Sequence, residues 1–338
     1  MRKSLRKPSF GLALAATLMA ICVVVLGSFT RLSHAGLGCP DWPTCYGHIW
    51  APQTAIDIAI ANETYPEIPV NLAKTWPEMV HRYLATGLGL FIVALVIMAI
   101  RHRREHNQPL KLPLLLLCLV LLQGAFGAWT VTLKLWPQVV TAHLLGGFTT
   151  LTLLAILTLR LSGNRFSAFA QIKQFHKPRQ LAAWTLAVVL MQIFLGGWTS
   201  ANYAALACTD FPKCQTQWWP EADFETGFDF AHPIGPNYEG GKLAVPARTA
   251  IHLSHRIGAI VASVFVLGLA WALIGVRQRG WAALLVGLLA VQVALGISNV
   301  VFSLPLSVAV LHNLGGALLL VTVALINVLL NRKDPIYV

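Results

Sequence analysis

Pro77-Glu78-Met79-Val80-His81-Arg82 opens an apolar run that continues through Ile100. A helix that crosses a bilayer needs about 20 mostly apolar residues, and this run supplies them. A carboxylate, an imidazole and a guanidinium at one end of such a span need partners, because an ionisable group left in hydrocarbon costs about 2.5 to 3.5 kcal/mol or more. On a helix Glu78 and His81 stand three residues apart and share a face. The stretch therefore predicts a polar site inside a helix bundle, near one membrane surface.

The rest of the chain fits that frame. Of 338 residues, 56% are hydrophobic and only 11% charged, where a soluble domain carries about 25% charged residues; the mean hydropathy is +0.65. The fold class that follows is an all-α polytopic membrane protein. Apolar runs predict eight spans, at roughly 10–30, 78–100, 112–133, 138–160, 180–201, 249–274, 281–302 and 307–330, which puts both termini on one side. The basic N-terminal tail and first apolar run look like a secretory signal. The run is longer than a signal core, however, and no small-x-small cleavage site follows it, so it is read as the first span.

A net charge of +12 would suggest nucleic acid in a soluble protein. Here 17 of the 25 basic residues fall in the N-terminal tail, in 101–111, in 160–179, at Arg277 and Arg279, and at Arg332 and Lys333, all on one side of the spans. By the positive-inside rule that side is cytoplasmic. The two long loops lie on the outer face, where 11 of the 13 acidic residues are found. The charge orients the protein in a membrane and gives no sign of a nucleic-acid partner.

The six cysteines separate by position. Cys22 and Cys118 lie in apolar spans, where a thiol serves as a small hydrophobe. Cys39 with Cys45, and Cys208 with Cys214, lie in the outer loops, where an oxidising compartment favours disulfides. A redox-active pair at Cys39 and Cys45 is a second reading; zinc is disfavoured by the spacing and by too few thiolates.

The chain also repeats itself. LGSFTRLSHAGLGCPDWPTC from Leu26 aligns without a gap on LGGWTSANYAALACTDFPKC from Leu195 at an offset of 169, which also carries Gln123 onto Gln292, Gly127 onto Gly296 and His143 onto His312. His81-Arg82 matches His255-Arg256 at an offset of 174, so the second outer loop is five residues longer. Each copy has an even number of spans, which predicts a parallel repeat: a four-helix bundle over 10–160, a cytoplasmic linker over 161–179 and a second bundle over 180–330.

Each bundle then offers two histidines at matched depth near the outer surface, His81 with His143 and His255 with His312. Such a pair on facing helices can clamp a haem iron from both sides. A lone histidine in a span is more often a hydrogen-bonded structural residue, but four at repeat-related positions favour the ligand reading. Gly146-Gly147 and Gly315-Gly316 follow one turn deeper and would leave room for a flat macrocycle. Arg82 and Arg256 are candidate partners for haem propionates, or they snorkel to lipid phosphate. His252 stands where the first copy has Glu78, so only one bundle keeps a carboxylate, and that bundle is the catalytic candidate.

Taken together, Glu78-x-x-His81-Arg82, His255-Arg256, His143-Leu-Leu-Gly-Gly, His312-Asn-Leu-Gly-Gly and the two loop cysteine pairs resemble the haem A synthase family from about Leu26 to about Leu330. The resemblance implies oxidation of a haem O ring methyl to a formyl group by successive hydroxylations, giving haem A for terminal oxidases. It implies that His255 and His312 ligate a haem b cofactor, that His81 and His143 take the substrate haem, and that Glu78 is catalytic. It further implies a bacterial inner membrane, a haem O-producing enzyme and an electron donor as partners, and it allows a homo-oligomer. Glu78 would act as a general base or stabilise developing positive charge; its plainer role is to orient His81 or to pair with Arg82. Two rival readings stand beside this one. A parallel-repeat transporter explains the duplication but not the four histidines, and a dihaem b-type electron-transfer protein leaves Glu78 without a task. The loop from Ala51 to Thr75 carries no legible motif.

Overall fold

The computed structural model describes residues 7–105, 108–162, 176–231 and 233–331. The basic residues Arg2, Lys3, Arg6, Arg332 and Lys333, and positions 163–175 of the expected linker, lie outside the described residues. Ten helices are present among those described: α1 Phe10–Leu32, α2 Ala55–Thr64, α3 Leu72–Arg101, α4 Lys111–Thr132, α5 Pro137–Leu161, α6 His176–Ala201, α7 Phe224–Gly227, α8 Val245–Gly275, α9 Arg279–Val301 and α10 Leu306–Leu330. Eight of them, all but α2 and α7, are long and apolar enough to cross a membrane, and none carries more than two charges in its apolar window. The chain is a multi-pass membrane protein, as its composition requires.

Three of the eight, α3, α6 and α8, start four or more residues earlier than the apolar runs predict. Counting apolar residues finds where hydrocarbon begins, whereas a helix begins where its first N–H groups find partners. The Asn71 side chain accepts from Ala73 N at 3.0 Å and caps α3 six residues before the run. α8 starts with Pro246 in its first turn, where the missing N–H is harmless. Glu78 and His252 thus sit inside the second turn of established helices, not at frayed ends.

Neighbouring helices pack α1 on α3, α3 on α4, α4 on α5 and α5 on α1, closing one ring; α6, α8, α9 and α10 close another in the same way. The rings meet through α5–α6, α1–α10 and α5–α10. In lipid the packing force between helices comes from close approach and polar contacts rather than from water exclusion. Both are present. Ala13, Ala16 and Ala20 form a fully buried stripe of small side chains on α1, Thr17 and Thr158 hydroxyls join α1 to α5 at 2.9 Å, and Asn327 Nδ2 donates to Ala182 O at 2.8 Å, joining α10 to α6. The apolar core, including Ile92, Leu95, Leu154, Leu157, Leu269 and Ile326, fills the end of the rings away from the long loops. The histidines lie at the loop-side end of that core.

The first long loop, which showed no motif, contains α2. Thr54 caps it by accepting from Asp57 N at 3.1 Å while its hydroxyl donates to Asp57 Oδ2 at 2.7 Å. Cys22 and Cys118 are exposed on the outer faces of their helices, where they meet lipid, not core.

Candidate haem sites

His81 from α3 faces His143 from α5 with ring centroids 6.5 Å apart and planes at 83°. His255 from α8 faces His312 from α10 at 6.5 Å and 82°. Each ring rests against a glycine of the membrane-length helix that precedes its own in the chain. A Cβ on Gly27 would come within 2.7 Å of His81 Cε1, one on Gly196 within 3.1 Å of His255 Cε1, and one on Gly296 within 3.1 Å of His312 Cε1, while Gly127 leaves His143 an ordinary 3.6 Å. These seats are what let imidazoles occupy the interior of tightly packed rings.

The donor set fits a tetrapyrrole iron. Two metal–nitrogen bonds of about 2 Å, added to about 1 Å from nitrogen to centre of each imidazole, span about 6 Å between ring centres. The Nδ1 atoms of His81, His143 and His312 are buried without a hydrogen-bond partner, a costly state for polar atoms that serve no other purpose. Among the described residues no group of three or more His, Cys, Asp or Glu converges on one point. Two imidazoles alone suit an ion whose remaining ligands come from a macrocycle.

The space beside the first glycine of each pair is filled, whereas a Cβ on Gly147 would meet nothing within 4 Å. Gln123 Nε2 lies 1.7 Å from the position of a Cβ on Gly146, and Gln292 Oε1 lies 2.3 Å from one on Gly315. The glycines therefore admit two glutamine amides, which the repeat had matched without a reason. Gln292 Nε2 approaches His312 Nε2 at 3.4 Å, and Gln192 Nε2 approaches His255 Nδ1 at 3.0 Å.

Above the histidines each loop forms the same small hairpin. Disulfides join Cys39 to Cys45 and Cys208 to Cys214, as the sequence predicts, and one bridge closes each turn, Cys45 with His48 and Cys214 with Gln217. An aspartate two residues after the first cysteine organises the turn. Asp41 accepts from Tyr46 N at 2.6 Å and Gly47 N at 2.9 Å; Asp210 accepts from Gln215 N at 2.6 Å and Thr216 N at 2.9 Å. Desolvation alone would raise the Asp210 carboxyl, but those N–H groups and the Arg256 guanidinium hold it below the usual range. Burial, with the negative charges of Glu78 and Asp41 beside it, pushes the Tyr46 phenol up to about 12. Both aspartates lay in the aligned segments, so a repeat-matched Cys-x-Asp was the available signal.

Glu78 ties this hairpin to α3. Its Oε2 accepts from Cys39 N at 3.1 Å and its Oε1 accepts from Arg82 Nη2. The other arm of Arg82, Nη1, donates to Thr44 O at 2.7 Å and Pro43 O at 3.2 Å. In the second ring His252 takes the place of Glu78: Cys208 N approaches its Nδ1 at 3.3 Å and Arg256 Nε its Nε2 at 3.2 Å, while Arg256 also donates to Lys213 O and Asp210 O, each at 2.8 Å. A neutral imidazole has one acceptor nitrogen, so it satisfies only one of the two donors that a carboxylate satisfies together. Arg82 and Arg256, the candidate propionate partners, both donate to hairpin carbonyls.

Two copies of a disulfide hairpin over two matched histidine pairs, with a carboxylate at one only, are now defined. Residues 11–324 match the model of a family described as cytochrome oxidase assembly protein. The chain belongs to the COX15-CtaA family. Curated relatives of this COX15-CtaA chain include proteins named Heme A synthase. One from Shewanella oneidensis is 46% identical over 315 residues, covering 93% of this chain and 94% of the relative. Another, from Chelativorans, is 29% identical over 88% of the chain and 83% of the relative, and one from Halalkalibacterium halodurans is 25% identical over 94% and 95%.

Proposed function

We propose that this membrane oxidoreductase converts haem O to haem A, oxidising a ring methyl of the tetrapyrrole to a formyl group. The observation that carries the reading is the pair of matched histidine sites of which only one keeps a carboxylate, in a chain 46% identical to a Heme A synthase over nearly its full length. Residues 10–160 and 180–330 are read as parallel copies of one four-helix unit, joined through 161–179 on the cytoplasmic side. The first takes haem O on His81 and His143; the second holds haem b on His255 and His312. Haem b held by His255 and His312 would supply electron transfer.

The chain's own residues divide the remaining work. Glu78 is the group assigned to take a proton, or to steady positive charge, as the ring methyl is oxidised. The Cys39 N–H and Arg82 fix both of its oxygens, and charge-assisted bonds of this kind are the stronger class. His252 gives the second half no such acid, in keeping with a relay role. A substrate as apolar as haem O enters from the bilayer between spans, handed over by the enzyme that makes it, and an external donor completes the electron path.

The test is expression of the full chain in cells supplied with haem O but lacking their own enzyme for the step, followed by haem extraction and mass analysis. Haem A is the expected product. A chain that carries haem b and yields none would instead be the dihaem relay.

A further inference from the structure

Just beyond each disulfide hairpin the chain carries two large apolar side chains with exposed surface, Trp50 being 37% exposed and stacked on Tyr83 and Trp219 stacked on Phe224. Ile49 is 80% exposed and stands next to Trp50; Trp218 and Trp219, which match them at the offset of 169, are 71% and 63% exposed. Exposed apolar groups of this size mark an interaction surface, and the first pair has a fixed position relative to the spans. Trp50 stacks on Tyr83 with ring centroids 5.8 Å apart, and Tyr83 Oη donates to Ile49 O at 2.7 Å. Tyr83 belongs to a stripe on α3, Trp76, Tyr83, Leu90 and Ile97, in which every seventh residue is an exposed apolar or aromatic side chain. On a spanning helix that stripe is the face turned to lipid.

The depth of Tyr83 follows from the histidines. It stands two residues beyond His81, whose ring lies 6.5 Å from that of His143, and His143 stands six residues inside Pro137, the first residue of α5. At about 1.5 Å per residue, His143 is about 9 Å inside the loop-side end of α5. Tyr83 is at that level or deeper, and Trp50 lies flat against it. The segment just beyond the hairpin turn therefore forms a tip that reaches down the lipid-facing side of α3 instead of standing in water above it.

We propose that Ile49-Trp50, and by the matching hairpin geometry Trp218-Trp219, are lipid anchors seated in the headgroup–acyl boundary of the leaflet on the loop side. Aromatic side chains with a polar edge favour that layer, and the tip adjoins the lipid-facing stripe of α3. Each hairpin is then held from two directions. Arg82 grips Thr44 O and Pro43 O from within the ring, Arg256 grips Lys213 O in the second, and lipid holds the tips from outside. The hairpin that donates Cys39 N–H to Glu78 is pinned to the membrane surface, not free to swing.

The test uses the full chain in nanodiscs of phosphatidylcholine and phosphatidylglycerol, with Cys22 and Cys118 changed to Ser. Nitroxides at Ile49→Cys and Trp218→Cys are read by power saturation against dissolved oxygen and against a water-soluble nickel chelate. Oxygen should dominate several-fold at both sites, as at Leu90→Cys on the α3 stripe, with the reverse at exposed Glu67→Cys in the turn after α2. Nickel access at 49 equal to that at 67 overturns the proposal, whether the tip then faces water or a soluble partner. Should an added cysteine disturb the hairpins, Trp50→Phe decides: the variant should lose emission quenched by lipids brominated high on the acyl chain, and an unchanged quenched fraction overturns the proposal equally.

Discussion

Glu78 is held at both oxygens, by a backbone N–H on one side and a guanidinium on the other, and is 5% exposed. Glu78→Gln keeps its shape and its bond to Cys39 but removes the charge and the basic oxygen. The expected outcome is a fall in haem A formation of about 10²-fold or more, the usual scale of a lost general base, with the haem b spectrum intact. Extracted haem analysed by chromatography checks both. The glycine seats give a graded second case. Gly27→Ala places a methyl 2.7 Å from His81 Cε1, whereas Gly127→Ala places one 3.6 Å from His143 Cε1. Overpacking of the first kind costs about 1 to 3 kcal/mol, so Gly27→Ala should weaken haem binding at the first site about tenfold. Gly127→Ala should change it less than twofold, measured by optical titration.

At the scale of an element, the hairpin between Cys39 and Cys45 couples covalent structure to the site. A disulfide across six residues of separation constrains the unfolded chain by about 2 kcal/mol. Changing both cysteines to Ser should lower the thermal midpoint. It should also reduce turnover while leaving haem b in place, because Cys39 N–H no longer has a fixed position under Glu78. If the pair were instead a turnover dithiol, activity would depend on added reductant in the parent chain, and a redox titration of turnover separates the outcomes. The sequence foretold both disulfides from compartment and spacing. It did not foretell that Arg82 and Arg256 bind hairpin carbonyls, because a basic residue beside a helical histidine reads the same whether its partner is a backbone oxygen, a propionate or a phosphate. α2 escaped notice for a related reason: ten residues with a Thr54–Asp57 cap carry too little apolar periodicity to stand out from a loop.

At the scale of the whole molecule, the two rings are joined on the loop side by contacts between matched positions. Arg31 Nη2 donates to Ser200 O at 2.6 Å, its guanidinium covers the Tyr203 ring at 4.2 Å, and His34 stacks on Tyr203 at 5.7 Å. Ser200 and Tyr203 are the residues that Arg31 and His34 match at the offset of 169. Lys74 pairs with Glu239 at 2.9 Å and Tyr238 N donates to Lys134 O at 3.0 Å, so the second long loop also reaches across the first ring. Arg31→Leu removes a hydrogen bond to a charged donor and a cation–π contact, together about 2 kcal/mol. Thermal unfolding should shift down with haem b content unchanged at low temperature. Arg31→Lys should recover only part of the loss, since an ammonium lacks the planar fork.

The sequence by itself determined the eight spans, the two cysteine pairs and the four histidines, because hydrocarbon tolerates so few polar residues that each one left in a span reports a site. The repeat offset added which positions correspond. Only the tertiary structure decided what those polar groups touch: imidazoles seated on glycines of neighbouring helices, glutamine amides beside the glycine pairs, guanidiniums on hairpin carbonyls, and a tryptophan laid against the lipid face of α3. These depend on contacts between segments tens of residues apart, and a side chain's type limits its partners without choosing among them.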